Sequence, residues 1–145
     1  MNDRMDKGKV ILELTREQAN VIEDACELIA RLRIGQFQTI TEKILSYEGC
    51  DFCRKRDDAN DALSLAAKIL FGRNQYNMPD CQKKDILHQR AWNIYQVLRY
   101  TRCWHDYPEG NHFSVCFDKP MNLTDEPMPT CKIVEENENE KTQQG

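Results

Sequence analysis

The sequence predicts an α+β fold, about three helices (one of them long) packed on a small antiparallel sheet of two or three strands. Two observations carry that expectation. Apolar residues recur at spacings of three and four along three long segments, the period of a helix with one buried face. At the two ends, KVILEL and HFSVCFD instead alternate apolar with polar, the period of a half-buried strand.

In chain order, residues 1–8 are polar and read as a flexible N-terminus. KVILEL follows, with Val10, Leu12 and Leu14 on one face. Thr15 and Gln18 then have the spacing of a capping box, in which each side chain satisfies a backbone group of the first turn. Ile22, Cys26, Ile29 and Leu32 continue as a helical stripe. Beyond Gly35, Phe37, Ile40 and Ile44 extend it to about Tyr47–Gly49, with a bend expected at the glycine. CDFCRKRDD reads as a linker into a second helix, capped by Asp57 or Asp58. Ala62, Leu63, Ala66, Ile69 and Leu70 are its apolar face, and Gly72 its stop.

GRNQYNMP is a loop by composition, and Asp80 reads as the cap of a third helix running to about Trp104. Its stripe is Ile86, Leu87, Ala91, Ile94, Tyr95 and Leu98. PEGN makes a turn. HFSVCFD gives the main strand, with Phe113, Val115 and Phe117 on one face, and CKIV (131–134) a short last one. Residues 9–134 form a single α+β domain, followed by an acidic tail, 135–145, read as disordered. So small a sheet leaves a face for a second copy of the chain, and a homo-oligomer is expected.

Composition bounds the function classes. The 145 residues carry a formal charge of −4. The tail run EENENEK holds −3 of it, which leaves the body near neutral and disfavours duplex nucleic acid as a partner. No apolar run approaches the ~20 residues of a membrane span, and no apolar core follows the N-terminal charges as in a secretory signal. Seven cysteines, an odd count, without such a signal point to reduced thiols and a cytoplasmic setting.

Four side chains near the end of the third helix are the candidate ligand-binding residues: Arg99, Arg102, Trp104 and His105. Two arginines three apart on one face can grasp one phosphate or carboxylate, and Trp104 can stack on a base. The alternative is a packing seam where helix, turn and strand converge. Trp92 and Tyr95 read as core anchors because they adjoin or share the helical stripe. Cys50 and Cys53, in CDFC, would need a second pair such as Cys103 and His105 to complete a tetrahedral zinc site. That set defines the rival class, a zinc-stabilised structural or nucleic-acid-binding module. Cys103 or Cys116 with His105 or His112 lacks the exposed nucleophile turn and the orienting third group of a catalytic pair. Together with the absence of phosphate-loop, dinucleotide or metalloprotease motifs, this reads as a non-enzymatic chain without a cofactor.

The layout of Leu14–Ile34, Ile94–Tyr100, Trp104–Gly110 and Val115–Pro120 resembles that of small accessory proteins of bacteriophages and prophages. The resemblance implies an anti-defence inhibitor working in the host bacterial cytoplasm. Such a protein would block a protein effector by contact or sequester a small phosphorylated, nucleotide-like signal.

Overall fold

A computed structural model of the chain describes residues 8–45, 50–72, 85–110 and 119–135, with the side chains of residues 50–53 outside the description. Among the described residues the protein is helical and contains no strand, so the expected α+β architecture is replaced by an all-helical one. The described residues form four helices: α1 (Arg16–Arg33), α2 (Thr39–Ile44), α3 (Cys50–Phe71) and α4 (Ile86–Asp106).

The α1 start follows the sequence expectation. The Thr15 hydroxyl accepts from the Gln18 amide at 3.2 Å, and Gln18 Oε1 accepts from the Thr15 amide at 3.0 Å. The long first helix does not run through. Gly35, with φ +83°, turns the chain out of α1 and separates it from α2. That left-handed conformation is one a side chain resists, and a Cβ there would lie against the Phe71 ring at ordinary contact distance.

The second helix begins at Cys50, so the expected linker CDFCRKRDD lies inside α3 and Asp57 and Asp58 are not its cap. It ends where expected, at Gly72, whose φ is +71°. The third expected helix is α4, which starts at Ile86 rather than after Asp80. Asp85 is its cap, accepting from the amides of Leu87 at 2.9 Å and His88 at 3.4 Å. The PEGN turn is present in its first residues: the Gly110 amide donates to the Tyr107 carbonyl at 3.1 Å.

Helices α1 and α4 pack antiparallel and hold the core. At one end Arg33 pairs with Asp85 at 2.6 Å, and at the other Arg16 pairs with Asp106. The face of α1 turned inward is Ala19, Glu23, Cys26, Glu27 and Ala30. The Ile22 and Ile29 line expected there is exposed. Small side chains let the helices approach closely, and basic partners compensate the two glutamates. On α4, His88, Ala91, Asn93, Tyr95 and Val97 are buried, a wider arc than one stripe. Tyr95 is a core anchor as expected, while Trp92 is half-buried beside it, ring centroids 5.1 Å apart.

The arc is wide because α4 is covered on a second side by an irregular strap, residues 119–135. Asn93, only 3% exposed, donates to Asn122 Oδ1 (2.9 Å) and accepts from the Leu123 amide (3.0 Å). Arg90 clamps Glu126 farther out.

Both testable strand expectations fail, since among the described residues neither segment has a ladder partner. Residues 9–14 are exposed and have no regular structure. The CKIV segment does alternate in burial, but Cys131 and Ile133 turn toward helices α1 and α4, not toward a sheet. A period of two reports a half-buried extended chain, whatever covers it. HFSVCFD, GRNQYNMP, Asp80, the first seven residues and the tail beyond Glu135 lie outside the described residues.

Helices α2 and α3 form a second, looser pair. Gln38 Nε2 donates to Ser64 Oγ at 3.0 Å, and Thr41 Oγ1 to Asn60 Oδ1 at 2.6 Å. Phe37 meets Phe71 edge to face, centroids 5.8 Å apart. Ala67 is buried, but Ile69 and Leu70, expected to face inward, are exposed.

Candidate functional site

The C-terminal half of α4 places the four sequence candidates in different environments. Arg102 reaches back to α1, where its guanidinium donates to both carboxylate oxygens of Glu23, Nε to Oε2 at 3.1 Å and Nη2 to Oε1 at 2.7 Å. Glu23 is 8% exposed, so this pair compensates a charge that would otherwise be costly to bury. The same hydrogen bonds hold the Arg102 pKa above the ordinary arginine value.

One turn back, the Arg99 guanidinium sits 5.7 Å from the centre of the Tyr95 ring, a cation–π distance. The two arginines are therefore directed to different partners, although their spacing of three puts them on neighbouring positions of the helix. Trp104 packs on Tyr100, ring centroids 6.0 Å apart and tilted by 49°. His105 lies 3.2 Å from Asp106 Oδ1 through Nδ1 and 3.3 Å from Glu135 Oε1 through Nε2. Arg16 completes this polar end. Its hydrogen bond, with that from His105, holds the Asp106 carboxyl below the usual carboxylate range.

Between these groups is a cavity of about 50 Å³ lined by Arg16, Glu23, Leu98, Arg102, Cys131 and Ile133, among others. That is room for a water or two; sites for drug-sized ligands run to roughly 300–1,000 Å³. A larger open hollow of about 730 Å³ lies at the other end of the molecule. Leu32, Phe37, Ile40, Leu63 and Phe71 line it, and the Arg33–Asp85 pair stands at its edge. No sequence motif pointed there, because its walls come from three helices and its residues are ordinary core types. Asp85 is held below the usual carboxylate range by the Arg33 hydrogen bond, supported by the His88 and Leu87 amides at the helix start.

For the zinc set, Cys103 and His105 both lie within α4, where residues two apart point to different faces. The Cys50 and Cys53 side chains lie outside the described residues. Among the described residues no three His, Cys, Asp or Glu are grouped to hold a metal ion. Nor is any described helix long and apolar enough to cross a membrane. Cys116 and His112, the other half of the catalytic pairs weighed above, are also outside the description.

The partners of the candidate arginine were not legible locally. Glu23 is 79 residues away from Arg102, and a glutamate between Ile22 and Asp24 looks like any solvated helix charge. One signal was present: Glu23 falls on the same helical face as Ala19, Cys26 and Ala30.

No protein-family model, curated protein or solved structure matches the chain.

Proposed function

We propose that the chain is a non-enzymatic binding protein that acts by occupying a surface of another protein. In the role implied by its resemblance to phage accessory proteins, that target belongs to a host bacterial system that the chain inhibits. The observation that supports this reading is the outer face of α3. Ala62, Leu65 and Ile69 are spaced by three and four residues and are all exposed, with Leu70 beside them. Ile69 keeps 74% of its surface in solvent. An apolar helical stripe turned outward is the form in which a helix enters a partner's groove, with anchors at i, i+3 and i+7.

The version in which the chain sequesters a phosphorylated nucleotide has less support. Arg102 is committed to Glu23, and the space beside it is water-sized. The zinc-stabilised module is likewise the weaker reading, since Cys103 and His105 diverge around α4.

The test is expression of the chain in bacteria carrying single, defined phage-defence systems, followed by plating of a phage each system restricts. Wild-type chain is expected to restore plating against one system by tenfold or more. The Leu65→Glu/Ile69→Glu variant, with an unchanged circular dichroism spectrum, is expected to lose that effect. A variant as active as the wild type overturns the reading of α3, and no restored plating against any system overturns the inhibitor role.

A further inference from the structure

The segment before α1 is the most exposed apolar stretch described. Val10 is 96% and Ile11 88% accessible, and Leu12 and Leu14 are exposed as well. Among the described residues its backbone makes no hydrogen bond to another element. Four exposed apolar residues, two of them the β-branched Val10 and Ile11, on an extended segment without such hydrogen bonds form a template for strand pairing, which proteins normally cover, twist away or guard with charge. Here the charges do not guard the segment; they complement it.

We propose that residues 9–14, KVILEL, pair antiparallel with the same residues of a second copy about a two-fold axis through Ile11. In that register Lys9 of each copy stands opposite Glu13 of the other, and Ile11 opposite Ile11. On the other face Val10 stands opposite Leu12, twice. Opposite charges directly across an antiparallel pair favour the register, and like charges oppose it. A shift of one residue in the pairing sum sets Val10 opposite Glu13 and Ile11 opposite Leu12 and loses both ion pairs. The self-complementarity is what selects a second copy as the occupant, since an isologous contact requires that the surface match itself.

A ribbon of six residues per copy is short of the roughly 800 Å² per partner that a standard interface buries. The strands therefore set register, and exposed apolar residues at the start of α1, Val21 foremost, supply further area to the same contact. This pairing concerns the N-terminal segment and leaves the outer face of α3 free, so it stands or falls separately from the proposed inhibitor role.

The experiment is sedimentation velocity on the full chain over a concentration series at low salt. It compares wild type with Lys9→Glu, Glu13→Lys and the double exchange Lys9→Glu/Glu13→Lys. These positions precede α1 and are exposed, so the helices are expected to be unaffected, which circular dichroism checks. The wild type is expected to sediment as a dimer that dissociates on dilution. Each single change sets like charges opposite one another at two symmetric places and is expected to raise the dissociation constant about tenfold or more. The double exchange rebuilds both pairs and is expected to return to within about twofold of wild type. A monomer at every concentration overturns the proposal, as does a dimer whose dissociation constant ignores the single changes or is not restored by the double.

Discussion

Helices α1 and α4 are joined by polar groups inside the contact, whereas α2 and α3 are joined by polar groups around a few aromatic and small apolar ones. In the first region Glu23 is directed to Arg102 and His88 to Ala30, while Asn93 on the other side of α4 holds Asn122, Leu123 and Thr124 of the strap. His88 Nδ1 donates to the Ala30 carbonyl at 2.8 Å. A carbonyl only accepts, so the ring must carry its proton on that nitrogen. Buried groups of this kind make a pairing unique, because a shifted helix would leave each one unsatisfied. In the second region the hydrogen bonds are between neutral side chains, the apolar stripe faces outward, and an open hollow borders the contact. The difference teaches where the chain spends specificity on itself and where it leaves surface for something else.

Five substitutions or conditions break or sharpen that contrast. Arg102→Ala strands the Glu23 carboxylate and is expected to cost about 2–3 kcal/mol, moderated because the guanidinium is partly in solvent. Urea unfolding reads it, and the Leu65→Glu/Ile69→Glu variant should stay within about 0.5 kcal/mol per site by the same method. Equal losses in both would erase the distinction. Asn93→Ala removes the bonds that seat the strap and is expected to cost about 2 kcal/mol. Its signature is faster amide exchange at residues 122–126, where the Leu123 amide loses its acceptor; protection unchanged there would mean that the strap is held elsewhere.

Gly35→Ala probes the join between the two regions. The positive φ at this position predicts a loss of about 1–2 kcal/mol. Acid should act at the joins as well. Asp85, Asp106 and Glu27 are all held below their ordinary values in the fold. For Glu27, hydrogen bonds from Lys43 and Arg31 outweigh the opposing effect of burial. A carboxylate with a depressed folded pKa contributes stability above its unfolded pKa and loses it as pH falls through the folded value. Unfolding midpoints should therefore be level above about pH 5 and fall below about pH 4. A midpoint that rose on acidification would contradict these ion pairs.

Local features of the chain were legible in advance. Thr15 with Gln18 predicted a capping box, Gly72 a helix end and Tyr95 a core anchor, since each rests on neighbours within a few residues. The fold class was not. KVILEL has the period of a strand, but period says nothing of whether a ladder partner exists within one chain. CKIV alternates too, and its inward residues meet helices. The start of α3 was hidden because CDFCRKRDD looks like linker by charge, although Arg and Lys are good helix formers. At the site, the residue types in α4 were legible, but their roles depend on Glu23, Arg16 and Glu135, which only tertiary structure brings to them.

The Arg33–Asp85 ion pair has a consequence for how such a chain can change over generations. It joins the last residue of α1 to the cap of α4 at 2.6 Å, so the 51 residues between them leave and return at nearly one point. The described residues between them, 34–45 and 50–72, are in effect an excursion from a two-helix hairpin, and hairpins of that kind close with a connection of two to five residues. Apart from α2, which Lys43 ties back to Asp24 and Glu27 of α1, an excursion anchored in this way can be lengthened, trimmed or exchanged with little effect on the hairpin beneath it. The part of the molecule that carries the outward apolar stripe is thus the part freest to be rewritten.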